Sequence, residues 1–405
     1  MSQAVLPEVA PGRIVGVDVA RALALVGMMA THMLPGIDGT HVPWPQQVAG
    51  GRASALFAVL AGVSMALVSG RTTPLRGRAR YAASARLVVR AVLIGTLGLV
   101  LGLVPSGIAV ILAFYAVLFL LGLPFLGLRA PALAALAVLW AVAVPAVSLV
   151  LRPHLPEHVV GSPTPAALMS PGLLLNELLL VGYYPAVVWL AYLFAGLAMG
   201  RIDLRRKGVD LWLLVGGVLI AVLATAVSRF LLARADAAAA LASTYPDRSI
   251  GSDPAALHAV LTHGLHGTTP TGSWWWLATV APHSGTPLDL AQTIGSAMAA
   301  LGLCLLVTRF QPRVWAAAFG AGAMTLSLYT LHVVIMGRGW WPDLETPNHY
   351  DDQVLLILGI GAVLALIPVR GPLETVVAVL SRSASAAFGQ PANGYSQAAY
   401  RRPRG

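Results

Sequence analysis

The chain is poor in charged residues, and acidic residues are the scarcest of them. Only 10% of its 405 residues are charged, with 16 Asp and Glu against 26 Lys and Arg. Soluble globular proteins carry about 25% charged residues, so this composition excludes an ordinary soluble domain. Hydrophobic residues make up 57% of the chain. They gather in runs long enough to cross a bilayer core of roughly 30 Å.

Cysteine is nearly absent, and so are the motifs of common soluble enzymes. The single cysteine, Cys304, lies inside an apolar run, which excludes a disulfide framework and a thiolate metal site. His258, His263 and His266 are spaced poorly for one helix face and lack an acidic partner, so no metal is expected. The sequence also has no Walker A motif, no dinucleotide G-x-G-x-x-G after a strand and no G-x-S-x-G with a credible triad.

The apolar runs predict an all-α, polytopic membrane protein with about ten transmembrane helices. They lack the alternation of apolar and polar residues that the strands of a membrane barrel require, so the spans are helices. The predicted spans are roughly 14–34, 51–69, 87–104, 108–126, 130–151, 176–200, 210–233, 288–307, 314–336 and 354–369.

Basic residues are concentrated in every second gap between the spans, and this pattern predicts the orientation. These residues are Arg71, Arg76, Arg78, Arg80, Arg129, Arg201, Arg205, Arg206, Lys207, Arg309, Arg313 and Arg370. The positive-inside rule makes these gaps and both termini cytoplasmic. The net charge of +10 then needs no nucleic-acid partner. On this topology all ten histidines fall at or beyond the outer ends of the helices.

Three parts are predicted along the chain. Residues 1–12 form a cytoplasmic tail, 13–370 form the transmembrane domain, and 371–405 form a basic, disordered cytoplasmic tail. The outer loops cover about 35–50, 152–175, 234–287 and 337–352. Long loops on a helical scaffold usually carry function, although outer loops can simply be less basic and more variable.

The first predicted helix carries three polar side chains in a regular order. Asp18 and Arg21 are three residues apart and therefore share a face. Charges within an apolar span mark a functional site by default, whereas charges near its end can snorkel to the headgroups. His32 follows Arg21 by eleven residues, which places it on the same face about 16 Å further along the helix. A neutral imidazole there can accept a proton from an attacking hydroxyl or amine.

These residues carry a family resemblance. The pattern D-x-x-R-A-x-A from Asp18, with a histidine after ten further residues, resembles the first helix of membrane acyltransferase family 3. The H-V-P-W segment at His41–Trp44 resembles the H-x-x-W segment of the heparan-alpha-glucosaminide N-acetyltransferase family. The following GGRASALFAVLAGVSMAL is similar to the second helix of that family and its bacterial relatives. The resemblance is firm over about 13–70.

The resemblance implies an O- or N-acyltransferase in the plasma membrane of a bacterium. The donor would be acetyl-CoA or another acyl-CoA from the cytoplasm, and the acceptor an outer-face carbohydrate or glycolipid of the cell envelope. His32 or His41 would be the general base or acyl carrier, with Asp18 and Arg21 fixing the donor or the helix. The residues expected to bind the donor are Arg52, Arg76, Arg78 and Arg80, with Arg86 as a further candidate. Those expected at the acceptor are Trp44, Trp275, His283, Asp289 and His332.

Two alternatives stay open. The chain would otherwise be a transporter or flippase for a lipid-linked envelope intermediate, with Asp18 and Arg21 as its coupling pair, or a non-catalytic membrane scaffold. The tryptophans could equally anchor helices at the membrane interface, and the arginines could lie in the headgroups. Membrane lipids are expected partners in every case. The oligomeric state is open, with a homodimer as one option.

Overall fold

The structure is a computed structural model that describes residue 9 and residues 12–34, 36–156, 161–267, 269–338, 348–367 and 370–386. Over these residues it is all-helical, as predicted, with one isolated β-bridge between Asp38 and His41. The helices are α1 (Val15–Met33), α2 (Trp44–Ala49), α3 (Arg52–Val68), α4 (Gly77–Leu101), α5 (Leu112–Gly122), α6 (Ala130–Leu151), α7 (Pro171–Asn176), α8 (Ala186–Gly200), α9 (Val209–Leu232), α10 (Ala235–Thr244), α11 (Arg248–Ser252), α12 (Pro254–His263), α13 (Pro287–Thr308), α14 (Pro312–Ala318), α15 (Thr325–Arg338), α16 (Asn348–Leu366) and α17 (Pro372–Ala386).

Seven helices among the described residues are long and apolar enough to cross a membrane. An eighth is added if the bent pair Pro171–Val181 and Ala186–Gly200, which meet at 51°, is one span. The predicted count of ten is not confirmed. The predicted fourth span holds only a shorter apolar helix, Leu112–Gly127, and the predicted ninth span is divided between α14 and α15.

The bend before α8 and the break between α14 and α15 each have a local chemical cause. In the bent pair, a π-helical turn leads into Gly182–Pro185, where proline lacks an N–H and restricts the residue before it. Between α14 and α15 lies the short 3-10 turn Gly320–Ala323. A side chain at Gly322 would overlap the backbone carbonyl of Asp18, so only glycine lets this turn pack against α1.

The main hydrophobic core is centred on α1, α3, α8 and α13, whose side chains are mostly buried. By contrast, α4, α6, α9 and α16 leave most of their apolar side chains on the outside of the bundle, as lipid-facing helices do. The packing places two groups of polar residues at opposite ends of α1. We call them the Arg-rich end, with Arg13 and Arg201, and the histidine-rich end, with His32 and His283.

Arg201 holds the Arg-rich end together rather than lying in solvent. Its side chain is only 3% exposed. It donates hydrogen bonds to the backbone carbonyls of Ala66, Ser69, Arg71 and Leu126, and so joins α3 to the segment after α5. A buried guanidinium is tolerated because these carbonyls replace its water. The positive charge of Arg201 therefore has a structural role at the Arg-rich end.

The predicted outer loop 234–287 is helical over much of its length. It contains α10, α11, α12 and the 3-10 turn Trp274–Ala278. A second small core forms here around Trp276, which is fully buried and donates from Nε1 to Thr244 Oγ1 at 2.9 Å. This core holds the segment against the bundle.

The expectation of a disordered tail from residue 371 is wrong for Pro372–Ala386, which form α17. The helix begins with proline and has Glu374 in its first turn, which is a favourable start. It packs along α4 and against α15. Glu374 Oε1 accepts from the backbone N–H groups of Leu326 and Ser327 at 2.7 and 3.2 Å, and so caps α15. The rest of the predicted tail lies outside the described residues.

Candidate active site

Two histidines from distant parts of the chain form a stacked pair at the histidine-rich end. His32, in the last turn of α1, and His332, in α15, have parallel rings with centroids 5.3 Å apart. Nδ1 of His32 lies 3.0 Å from Nε2 of His332. His332 is fully buried, and its Nδ1 is hydrogen-bonded to Oε1 of Gln353 in α16. The three side chains therefore form a chain of hydrogen bonds.

With the Gln353 amide oriented so that its oxygen faces His332, this chain assigns the basic nitrogen of His32. An amide oxygen only accepts, so Nδ1 of His332 carries the proton and its Nε2 is an acceptor when the ring is neutral. The shared proton between the rings then sits on Nδ1 of His32. Nε2 of His32 keeps its lone pair, as a general base requires.

Asp18 and Arg21 form an ion pair at the Arg-rich end, which confirms that they share a face. Asp18 accepts from Arg21 at 2.9 Å and from Arg13 at 2.7 Å, and it is largely buried. The second terminal nitrogen of Arg21 donates to Ser64 Oγ at 2.5 Å. Asp18 thus orients two arginines and offsets one of their two positive charges, while Arg21 reaches across to α3.

A cavity of about 300 Å³ lies beside this ion pair. Its walls come from α1, α3, α4, α5, α15 and α17, and three arginines line it: Arg21, Arg86 and Arg90. The guanidinium of Arg90 lies over the ring of Phe119, 5.9 Å from its centroid. Glu374 and Ser381 of α17 also line the cavity, so this helix covers one side of it.

The cavity extends from the arginines toward the histidine pair. Met28 and Tyr329 line it, and they precede His32 and His332 by four and three residues on the same two helices. These separations correspond to a rise of about 6 and 4.5 Å. The histidine pair therefore lies one helical turn beyond the part of the cavity that Met28 and Tyr329 line.

Further polar side chains gather near the pair at the histidine-rich end. Nδ1 of His283 and Oδ1 of Asp289 are buried and have no hydrogen-bond partner among the described residues. The other carboxylate oxygen of Asp289 accepts from the N–H of Gly285 at 2.9 Å, while the charge of Arg52 acts on this carboxylate. His283 in turn interacts electrostatically with His32.

His283 and His266 are held in their neutral forms. Burial lowers the pKa of His283 to about 3, with smaller contributions from His266 and His263. Burial also lowers the pKa of His266 to about 4, and the neighbouring His263 adds to this. Nδ1 of His266 is hydrogen-bonded to the hydroxyl of Tyr183. These rings act as neutral hydrogen-bonding groups at neutral pH.

The structure brings together only some of the predicted site residues. His32, His332, His283 and Asp289 come together at the histidine-rich end, whereas the His41 side chain is exposed on a tight turn that its backbone closes with Asp38. Trp44 is exposed at 72%. Trp275 packs against the small core around Trp276, under the guanidinium of Arg234.

Of the five arginines predicted to hold the donor, only Arg86 lines the cavity. Arg52 begins α3 at the opposite end and donates to the carbonyl of Gln47. Arg76 and Arg78 are exposed, and Arg80 donates to the carbonyl of Pro124 at 2.7 Å. The cavity is lined by Arg86, which was predicted, and by Arg90, which was not; both belong to α4.

Sequence reasoning missed Arg90, Gln353 and Tyr329. Arg90 offered a signal, because a charge inside the predicted span 87–104 indicates a functional position. Gln353 and Tyr329 offered none, since a glutamine at a helix start and a tyrosine in an apolar helix are common.

The fold and the site together define a multi-pass helical membrane protein that encloses a polar site among its helices. A family model described as heparan-alpha-glucosaminide N-acetyltransferase, catalytic, matches residues 13–232, more than half of the chain. The chain therefore belongs to this family of membrane acetyltransferases. No curated protein matches the chain. His332 and Gln353 lie beyond the matched residues.

Proposed function

We propose that the chain transfers an acetyl or short acyl group from cytoplasmic acyl-CoA to a carbohydrate or glycolipid at the outer face of a bacterial plasma membrane. One observation carries the proposal: a cavity with three arginines begins at the Arg-rich end and leads to within a helical turn of a histidine with a free basic nitrogen. The Arg-rich end would face the cytoplasm.

The size and charge of the cavity suit part of this donor. Its volume of about 300 Å³ is at the lower limit for ligand pockets, which hold about 300–1,000 Å³. That space would take a slender thioester arm, while the nucleotide and its phosphates stay at the mouth. Arg86 and Arg90 are the cations that would bind those phosphates. Arg21 is already paired with Asp18, so it contributes less free charge.

His32 alone can carry the one proton that moves during the transfer. The acceptor hydroxyl or amine attacks the thioester carbonyl, and its proton moves to Nε2 of His32. The C–S bond then breaks, and the thiolate of CoA takes that proton as it leaves. A two-step route through an acyl group on Nε2 uses the same geometry. His283 and Asp289, with their unpartnered polar atoms, would hydrogen-bond the acceptor.

The test is incubation of membranes with radiolabelled acetyl-CoA and a cell-envelope extract, followed by identification of the labelled product. His32→Ala should abolish labelling without changing the protein level. His258→Ala is a matched control, because His258 is an exposed histidine of α12. His41→Ala decides between the two candidate bases, and we expect it to keep most of the activity. Full labelling by the His32 variant would refute the mechanism.

A transporter for a lipid-linked envelope intermediate is the second candidate. The two interrupted helices, Pro171–Gly200 and Pro312–Arg338, favour it, because transporters often bind substrate at broken helices. In that case the purified protein should neither bind nor consume acyl-CoA. Asp18→Asn should then stop substrate movement, whereas in the acyltransferase it should mainly weaken the hold on Arg21.

A further inference from the structure

Tyr329 lies between the donor cavity and the histidine pair. It belongs to α15, it is only 3% exposed, and its side chain lines the cavity. His332 follows it by three residues on the same helix. A group that reaches the histidine pair through the cavity would therefore pass the Tyr329 ring.

The buried tyrosines near this point differ in whether their hydroxyl group donates or accepts a hydrogen bond. Tyr115 donates to the carbonyl of Ser54 at 3.2 Å, and Tyr184 donates to the carbonyl of Ala109 at 3.2 Å. Tyr329 instead accepts, from the N–H of Ile111 at 3.4 Å. Its own O–H proton meets no acceptor in the part of the chain that the structure describes.

The partner of Tyr329 makes its hydroxyl a better donor. Ile111 is the N-cap residue that directly precedes α5, so its N–H lies at the positive end of that helix. A donor that points at the phenol oxygen withdraws electron density from it and directs the O–H proton away from Ile111, and Tyr329 itself lines the cavity. Tyr115 also lines the cavity, but its hydroxyl proton is already donated to the carbonyl of Ser54.

Acyl transfer needs such a donor. When an acceptor attacks a thioester, the carbonyl oxygen becomes an oxyanion, and a fixed hydrogen-bond donor at that oxygen lowers the barrier. We propose that Tyr329 is a catalytic residue that donates its hydroxyl proton in a hydrogen bond to the thioester carbonyl oxygen of the donor and stabilises the oxyanion. This assignment rests on the proposed acyltransferase function. The proton stays on Tyr329, while the acceptor's proton goes to His32 and then to the leaving sulfur.

The kinetic test compares Tyr329→Phe with Tyr192→Phe. Tyr192 is an equally buried tyrosine, hydrogen-bonded to Thr293 at 2.9 Å, and it is outside the described cavity wall. We expect Tyr329→Phe to lower kcat by about 10²–10³-fold, the usual effect of losing one oxyanion donor, while the KM for acetyl-CoA rises by no more than about tenfold, the loss of one hydrogen bond. Tyr192→Phe should keep kcat. A wild-type kcat in Tyr329→Phe would overturn the assignment.

A binding test separates this role from a purely structural one. Acetonyl-CoA keeps the carbonyl oxygen of the donor, whereas S-ethyl-CoA lacks it. Tyr329→Phe should weaken the binding of acetonyl-CoA by about two- to tenfold, the loss of one hydrogen bond, and leave S-ethyl-CoA unchanged. Equal weakening of both analogues, or none, would overturn the role of Tyr329 while the donor cavity stands. If the wild-type protein binds neither analogue, the proposed function fails as well.

Discussion

The hydrogen bond between Gln353 and His332 offers the sharpest test of how the histidine pair works. In Gln353→Leu, Nδ1–H of a fully buried His332 loses its acceptor. An unsatisfied buried donor costs about 1–3 kcal/mol. The ring can avoid this cost by moving its proton to Nε2, but that nitrogen then no longer accepts from His32. His32 would in turn shift its proton to Nε2 and stop being a base.

The size of the effect follows from the same energy. A preference of about 1–3 kcal/mol between two tautomers corresponds to about 5- to 150-fold in the population of the active one. We therefore expect kcat of Gln353→Leu to fall within this range, with the KM for acetyl-CoA unchanged, because Gln353 is not part of the described cavity wall. Gln353→Glu restores an acceptor and should recover activity relative to leucine.

The assay is steady-state transfer from radiolabelled acetyl-CoA, with the unfolding midpoint in detergent measured in parallel. Gln292→Leu is the control for removing a buried glutamine, since Gln292 of α13 is 5% exposed. It should change the unfolding midpoint more than kcat. If Gln353→Leu destabilises the protein but keeps the wild-type kcat, the tautomer argument is refuted.

Two further predictions concern the Arg-rich end. Arg90→Ala should raise the KM for acetyl-CoA with little change in kcat, because it removes a positive charge from the cavity wall. Arg313→Ala serves as the control in the same assay, because Arg313 is exposed. Gly322→Ala should lower the unfolding midpoint strongly, because its methyl group would overlap the Asp18 carbonyl. Gly359→Ala is the control and should leave the unfolding midpoint unchanged, because a Cβ there meets no described atom within 4 Å. Equal effects of the two arginine variants, or of the two glycine variants, would contradict these readings.

Local spacing was enough to predict several parts of the site. Asp18 and Arg21 pair across one helical turn, and three residues of separation determine that contact in any α-helix. His32 stands at the end of an apolar helix, where sequence and topology singled it out. Arg90 could have been found in the same way.

The remaining parts depend on how the helices pack. His332 was predicted as an outer-face residue, but its contact with His32 joins positions 300 residues apart. The α17 helix was missed because its second half, S-R-S-A-S-A, resembles a tail, whereas the whole helix is ordered against α4 and α15. The break between α14 and α15 arises where Gly322 must approach the α1 backbone.

The sequence by itself determined that this is a helical, multi-pass membrane protein, because apolar runs of that length have only one stable partner, the bilayer core. It also determined the family, because a match to a family model over residues 13–232 needs only the sequence. Only the tertiary structure decided which histidine has a partner and which nitrogen is free. A hydrogen bond needs two atoms within about 3 Å, and side chains on separate helices reach that distance only after packing. That packing gave His32 a ring neighbour in His332 and left His41 exposed on the surface.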